Sequence, residues 1–283
     1  MHQVTGVFSS PQAFGNGIMI QQAVKVLWNK KLSTAYYKIG LACSDHYSSA
    51  KPGQFVMLGL AGQTEPLLRR PFSIHNLLIE NGITHGFELL YKVVGTTTAS
   101  LAQRKPGDIV DIFGPLGSGF LIPSWAKRVF VVAGGVGVAP LVFLVSDLHR
   151  KNADLSHYRV FIGGRTKEDL LCRNEFLELG VSVLTTTDDG SAGDQCLVTH
   201  PLEKAMGHTA PDVIVACGPM DMLACVVGIA EKHKVPCQVS IETMMACGMG
   251  ACLGCAVESR IEAEHYLHGC MDGPVFSADV LKF

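Results

Sequence analysis

The sequence is poor in charge and in aromatic side chains. Charged residues make up 17% of the 283 positions and nearly cancel, leaving a net charge of −2. There is no basic stripe to grip nucleic acid and no like-charge block to form a solvated tail. Aromatics account for 7%, with two tryptophans, which leaves core filling to aliphatic residues. No leader is expected either, since Met1-His2-Gln3-Val4-Thr5 offers neither a basic n-region nor an apolar h-region. Ten cysteines could form disulfides in a secreted protein. Six of them (Cys43, Cys172, Cys196, Cys217, Cys225 and Cys237) are scattered without framework spacing, so a reducing, cytoplasmic setting is expected. Long hydrophobic runs are also scarce. The most hydrophobic uncharged stretch, Val129 to Ser146, is broken by Gly134-Gly135-Val136-Gly137 and by Pro140. It reads as a buried strand, a glycine turn and a helix start rather than a membrane span.

What is present is a concentrated set of the other four cysteines. Cys247, Cys252 and Cys255 lie in Met245-Ala246-Cys247-Gly248-Met249-Gly250-Ala251-Cys252-Leu253-Gly254-Cys255, and Cys270 follows. Four residues separate the first pair and two the second, the plant-type ferredoxin spacing for a [2Fe–2S] cluster. Such a cluster needs a chain that curls tightly, and Gly248, Gly250 and Gly254 permit that curl and the approach of backbone N–H groups to sulfur. A structural zinc site is the competing reading. Zinc ribbons usually show two C-x-x-C knuckles, whereas here one gap is longer and Cys270 stands alone, so the cluster is favoured.

The rest of the chain divides by pattern. Residues 1–21 are weakly patterned and read as an N-terminal extension. Residues 22–124 show short apolar runs (Val24 to Trp28, Tyr36 to Leu41, Gln54 to Leu60, Phe87 to Val94, Ile109 to Ile112) separated by turns such as Lys51-Pro52-Gly53 and Asn81-Gly82, which predicts a β-barrel with one helix at Thr98 to Gln103. Residues 125–235 alternate strands at Val129–Ala133, Tyr158–Ile162, Val181–Leu184 and Val213–Ala216 with helices at Pro140–His149, Lys167–Leu179 and Met220–His233, the pattern of a parallel α/β sheet. Residues 236–283, rich in glycine and cysteine, form the expected cluster domain.

Two regions carry ligand chemistry. In the barrel, Arg69-Arg70-Pro71-Phe72-Ser73-Ile74 places a planar guanidinium, Arg70, where it can meet a phosphate, with Ser73 able to hydrogen-bond a flavin ring edge. An exposed arginine pair before a strand is the plain alternative. Leu90-Tyr91-Lys92-Val93-Val94-Gly95-Thr96-Thr97-Thr98 ends a strand and starts a helix at threonines, which suits a pyrophosphate or an ordinary threonine cap. Gly114-Pro115-Leu116-Gly117-Ser118-Gly119-Phe120 offers a loop where backbone can approach a ligand. In the α/β half, Gly134, Gly135 and Gly137 join a buried strand to a helix carrying Pro140, the place for a nucleotide's phosphates. Cys217-Gly218-Pro219 follows a later strand at the same sheet edge. Cys217 there reads either as a neighbour of a nicotinamide or as a small buried strand-end residue. Arg165 and Asp188-Asp189-Gly190 are candidates for the adenosine half.

The order of these motifs resembles the ferredoxin-NADP reductase superfamily and, more closely, the electron-transfer subunits of type B dihydroorotate dehydrogenase, over residues 22 to 283. Two positions depart from that pattern: Thr97 stands where a glycine is expected before the flavin threonine, and Cys196 replaces a glycine. The resemblance implies FAD against Arg70 to Ser73, Leu90-Tyr91-Lys92 and Thr97-Thr98, NAD on the α/β domain, and the [2Fe–2S] cluster on Cys247, Cys252, Cys255 and Cys270. It also implies a heterotetramer with an FMN-containing dihydroorotate dehydrogenase catalytic subunit. Electrons would pass from that FMN through the cluster and FAD to NAD+, in pyrimidine biosynthesis. A reductase subunit of a hydrogenase, a sulfite reductase or an NADH/NADPH-ferredoxin system is the alternative within the same superfamily.

Overall fold

The computed structural model describes residues 19–283 except 61, 63, 64 and 263. The expected extension, residues 1–21, lies outside the described residues apart from 19–21, and Ile20 and Gln21 already belong to the first strand. Strands β1 (Ile20–Lys31), β2 (Tyr36–Ala42), β3 (Phe55–Leu60), β4 (Arg70–Glu80), β5 (Ile83–Lys92) and β6 (Ile109–Leu116) close a barrel in the order β1-β2-β5-β4-β3-β6. Every pairing in it is antiparallel, and β1 closes the ring by bonding both β2 and β6. In β6, Val110, Ile112, Gly114 and Leu116 are buried while the residues between them are partly exposed, the period-2 pattern of a strand with one face in a core. Helix α1 (Thr96–Ala102) plugs one barrel end with Leu101, and Asn29 Nδ2 on β1 donates to Leu101 O at 2.9 Å and Arg104 O at 3.1 Å.

The second half is a seven-stranded sheet. Its elements are β7 (Val129–Gly134), α2 (Val138–Arg150), β8 (Arg159–Gly164), α3 (Arg173–Glu178), β9 (Ser182–Thr187), β10 (Asp194–Gln195), α4 (Thr199–His208), β11 (Val213–Cys217), α5 (Met220–His233) and β12 (Cys237–Ser240). A two-stranded ribbon of β13 (Ala256–Glu258) and β14 (Tyr266–His268) follows, then β15 (Val275–Ser277). The order is β10-β9-β8-β7-β11-β12-β15, parallel except for β15. Every residue of β7 is buried. Val129 and Val131 face one apolar cluster with α2, and Phe130 and Val132 face the other with α4 and α5. Continuous hydrophobicity is therefore required here, because helices cover both faces of the sheet.

Four details differ from the sequence-based expectation. The sheet runs past the expected 235/236 boundary, since β12 pairs with β11 and β15 pairs with β12. The helix expected over Lys167–Leu179 divides into a 3₁₀ turn at Lys167–Asp169 and α3, because Cys172 takes a left-handed φ of 61°. Helix α4, with little apolar periodicity beyond Leu202, Ala205 and Met206, was not expected. The Gly114–Phe120 loop approaches protein rather than a ligand: Ser118 N donates to Gly273 O at 2.6 Å, and Ser118 Oγ donates to Val275 O at 2.9 Å.

Gly117 has φ +76°, and a Cβ there would meet Pro274 Cδ at 2.6 Å and Gly273 O at 2.7 Å. Overpacking of this kind costs about 1–3 kcal/mol, so Gly117→Ala should lower the midpoint of urea unfolding. Gly228, inside α5 with nothing within 4 Å of its added Cβ, gives the opposite sign. Gly228→Ala should stabilise by roughly 0.5–1 kcal/mol through helix propensity, and equal midpoints for the two variants would contradict this packing.

Candidate functional site

A cavity of about 1030 Å³ opens between the barrel and the carboxyl ends of the parallel strands. Arg70, Pro71, Phe72 and Ser73 line it from β4, which pairs with β3 so that Met57 lies opposite Pro71 and Phe55 opposite Ser73. The two arginines separate. Arg69 binds Asp111 on β6 through Nε at 2.8 Å and through Nη2, whereas Arg70 makes only backbone contacts, Nη1 to Leu68 O at 3.1 Å and to Arg69 O at 3.3 Å. Among the described residues no carboxylate pairs with Arg70, so its charge is available to the cavity.

Leu90, Tyr91 and Lys92, from β5, form the adjoining wall. Tyr91 stacks on Tyr37 at 5.7 Å and meets Phe72 edge-on at 6.1 Å, and its hydroxyl donates to Asn29 Oδ1 at 3.2 Å. Burial raises its phenol above the ordinary tyrosine value. Thr97 and Thr98 line the cavity at the start of α1. The Thr98 hydroxyl accepts from the N–H of Val94 at 2.9 Å and of Gly95 at 3.1 Å, and donates to Gly95 O at 3.0 Å. It organises the turn, so any ligand contact there falls to the remaining groups of the turn.

On the opposite wall stand Gly134, Gly135, Gly137, Arg165, Cys217, Gly218 and Pro219. Strands β8 and β11 flank β7 on opposite sides, so the turns after β7 and β11 meet at the switch point of the sheet, where α/β folds bind ligands. The two turns touch: a Cβ on Gly137 would lie 2.5 Å from Cys217 O, and one on Gly218 would lie 3.0 Å from Gly134 N. Pro140 is buried in the first turn of α2 and does not line the cavity. Cys217 is 3% exposed, and its thiol is pushed up to about 12, first by burial and then by Glu242, with a hydrogen bond to Ser240 opposing. It is a neutral, compact wall residue.

Sequence reasoning missed Tyr36, Asp169 and Glu242, all at the cavity. Tyr36 on β2 donates to Asp169 Oδ1 at 2.5 Å, and Lys92 Nζ lies 3.5 Å from the same oxygen and 4.9 Å from the Tyr36 ring centroid. Burial raises the Asp169 carboxyl, but the Tyr36 hydroxyl, Lys92 and the amides of Thr166 and Arg165 outweigh it and hold the group below its ordinary value. This contact ties the barrel to the nucleotide sheet, and no motif spacing announces it. Glu242 follows β12, and burial raises its carboxyl.

The four clustered cysteines come together beside the barrel. Cys255 and Cys270 are buried, Cys252 is exposed and Cys247 lies between these extremes. The Sγ atoms of Cys255 and Cys270 are 3.3 Å apart. Backbone N–H groups of Met249 and Cys252 donate to Cys247 Sγ at 3.4 Å each, and that of Gly250 to Cys270 Sγ at 3.2 Å. Burial raises the Cys247 thiol, but these amides prevail and lower it to about 7. Among the described residues, no three of the four sulfurs lie within 4.8 Å of one another. One tetrahedral zinc, with Zn–S of about 2.3 Å, would draw all four together, whereas two irons require only pairs. Gly248 and Gly250 have φ of 72° and 78°, as the curl requires; Gly254 does not, and Leu253 (φ 60°) takes that role. Cys255 and Cys270 pack with Phe55, Met57 and Leu116. The cluster site thus sits one strand away from Arg70–Ser73.

Residues 242–282 match the iron-sulfur cluster binding domain of dihydroorotate dehydrogenase B, and residues 131–228 match the oxidoreductase NAD-binding domain. The electron transfer subunit of dihydroorotate dehydrogenase B (NAD(+)) from Desulforamulus reducens is 40% identical over 80% of this chain and 85% of its own. The chain belongs to this family. The electron transfer subunit from Caldanaerobacter subterraneus subsp. tengcongensis is 37% identical over 92% of this chain and 97% of its own. Among solved structures, the NADH-dependent reduced ferredoxin-NADP oxidoreductase matches with a TM-score of 0.77 and 29% identity, covering 92% of this chain and 89% of its own. A ferredoxin NADP+ reductase from Neisseria gonorrhoeae, 16% identical with a TM-score of 0.62 over 75% of this chain and 91% of its own, shares the fold. As members of an electron transfer subunit family, the barrel, NAD-binding domain and iron-sulfur domain form a ferredoxin reductase-like oxidoreductase. Among the described residues, no helix is long and apolar enough to cross a membrane.

The Asp169 contact sets a pH dependence. Its folded-state value is depressed, so its stabilisation is fully present above the unfolded aspartate value of about 3.9 and is lost as pH falls through the lower folded value. The stability difference between wild type and Asp169→Asn, measured by urea unfolding, should be constant from pH 7 to about 5 and shrink towards pH 3. A difference that grows on acidification would refute this assignment.

Proposed function

We propose that this chain relays electrons between NAD and a partner catalytic subunit that oxidises dihydroorotate, with FAD in the large cavity and a [2Fe–2S] cluster on Cys247, Cys252, Cys255 and Cys270. When bound, the flavin exchanges a hydride with a nicotinamide and single electrons with the cluster. The chain's own residues bind and position. Arg70, which pairs with no carboxylate among the described residues, is suited to the flavin's phosphates in a charge-assisted contact. Pro71, Phe72 and Ser73 would flank the ring, Leu90, Tyr91 and Lys92 would form its wall, and Thr97 and Thr98 the pyrophosphate turn. Gly134, Gly135 and Gly137 leave room for a dinucleotide's phosphates, Arg165 suits its adenosine half, and Cys217-Gly218-Pro219 suits the nicotinamide end.

The observation that carries this reading is the shared apolar wall. Cys255 and Cys270 pack on Phe55 and Met57, whose strand is bonded to Arg70–Ser73. A one-electron centre and a flavin held there would be neighbours, while Cys252 stays exposed on the side from which a partner's FMN can approach. The partner in this reading is an FMN-containing catalytic subunit, assembled with this chain as a cytoplasmic heterotetramer. The likeness to the NADH-dependent reduced ferredoxin-NADP oxidoreductase supports a second reading, reduction of or by ferredoxin.

The experiment is a Cys252→Ser chain that keeps FAD, mixed with the partner subunit. NADH-driven reduction of an artificial dye should survive, because it bypasses the cluster, and dihydroorotate-dependent NADH formation should be lost. Persistence of the coupled reaction at the wild-type rate would refute the relay. A wild-type chain active with ferredoxin but not with dihydroorotate and the partner would favour the second reading. Separately, Arg70→Ala removes a charged hydrogen bond of about 1.5–3 kcal/mol, so FAD should dissociate roughly ten- to a hundredfold more readily. Unchanged flavin content after dialysis would remove Arg70 from the site.

A further inference from the structure

A second cluster of donor atoms lies away from the cavity, where β4 and β5 of the barrel meet α3. His75 on β4 is fully buried. Its Nδ1 lies 3.3 Å from Ala139 O and its Nε2 lies 3.1 Å from Glu175 Oε2, with Glu88 Oε2 4.0 Å away. The Sγ of Cys172, a ring nitrogen of His75 and a Glu175 oxygen all lie within 4.8 Å of one another. The other Glu175 oxygen accepts from Lys38 Nζ at 2.8 Å. Both ring nitrogens of His75 therefore face oxygen acceptors. Nδ1–H can donate to the Ala139 carbonyl, which fixes the tautomer and points the Nε2 lone pair at a carboxylate and a thiol. Either an Nε2–H or a bound cation stands between the ring and the carboxylate.

We propose that His75, Cys172 and Glu175 bind a zinc ion that joins the barrel to the nucleotide domain, with Glu88 or water in the fourth position. One nitrogen, one thiolate and one carboxylate match zinc's preferred donors. A tetrahedral ion with bonds of about 2.0 Å to N and O sets those atoms roughly 3.3 Å apart, close to the separation already present. Lys38 on the second oxygen and the Ala139 carbonyl on Nδ1 are the outer partners that orient zinc ligands and hold them ready. The left-handed backbone of Cys172 (φ 61°) places its sulfur at this junction at a conformational cost that non-glycine residues rarely bear.

A thiol must lose its proton to bind the ion as a ligand, so zinc affinity should climb with pH.

The test uses the holoprotein, with FAD and cluster in place, incubated with zinc sulfate at pH 6.5 and 8, desalted and analysed for zinc, iron and flavin together. About one zinc per chain should be retained at pH 8 and less at pH 6.5, with iron unchanged so that the cluster cysteines are not its source. Cys172→Ser and Glu175→Gln should each reduce retained zinc at least tenfold while keeping flavin and iron. Two variants are needed because one could fail to fold. Wild-type protein that retains no zinc, or folded variants that retain as much as wild type, would overturn the proposal.

Discussion

Strands β12 and β15 lie side by side at the edge of the nucleotide sheet, with Ser240 opposite Val275, and the rest of the redox architecture depends on this pairing. Residues 241–274, which carry all four cluster cysteines, leave the sheet and return to it at one point. The loop closure is therefore made by backbone hydrogen bonds and by Val239, Ile241 and Phe276, which sink into the same apolar cluster as α5. The excursion is tied a second time where Ser118 binds the Gly273 and Val275 carbonyls. Held at its root and along one side, a glycine-rich segment with little core of its own can keep Cys255 and Cys270 against Phe55 and Met57.

The same logic explains how two domains share one cavity. The barrel contributes the Arg70 guanidinium, which meets no carboxylate among the described residues, and an aromatic wall, and the sheet contributes two glycine turns in backbone contact. Tyr36, Lys92 and Asp169 connect the two across the gap. The barrel wall is built mostly from strand residues, so its side chains are held by hydrogen-bonded ladders rather than by loops. The turn at Gly95 is the exception, and there the Thr98 hydroxyl takes over by binding two backbone amides.

Much of this was legible in the sequence because local chemistry demanded it. The barrel strands announced themselves as short apolar runs between Pro/Gly turns. The cysteine spacing pointed to the segment that matches an iron-sulfur cluster binding domain, and Gly134–Gly137 and Cys217–Pro219 marked the ends of two buried strands. What escaped depended on distant partners. Cys237–Ser240 is too short to declare a strand, and it becomes one because β11 offers an edge. Cys172 breaks a well-patterned helix through a backbone angle that composition does not encode. Gly117 looked like a place for a ligand because a close backbone approach reads the same whether the visitor is a cofactor or Gly273. Tyr36 and Asp169 are far apart in sequence, and nothing in the spacing of either foretells their contact.

The position of β15 also bears on how such proteins can be taken apart and recombined. The iron-sulfur segment looks like a C-terminal appendage, yet topologically it is an insertion between two neighbouring strands of the nucleotide sheet. Trimming the chain after residue 235 would strip β11 of its edge partner and expose the apolar surface that Val239 and Phe276 cover. Grafting a cluster segment from a relative is a different operation. If the exchange is confined to the residues between Ser240 and Val275, the sheet keeps its own hydrogen-bonded frame and only the electron-carrying excursion is replaced.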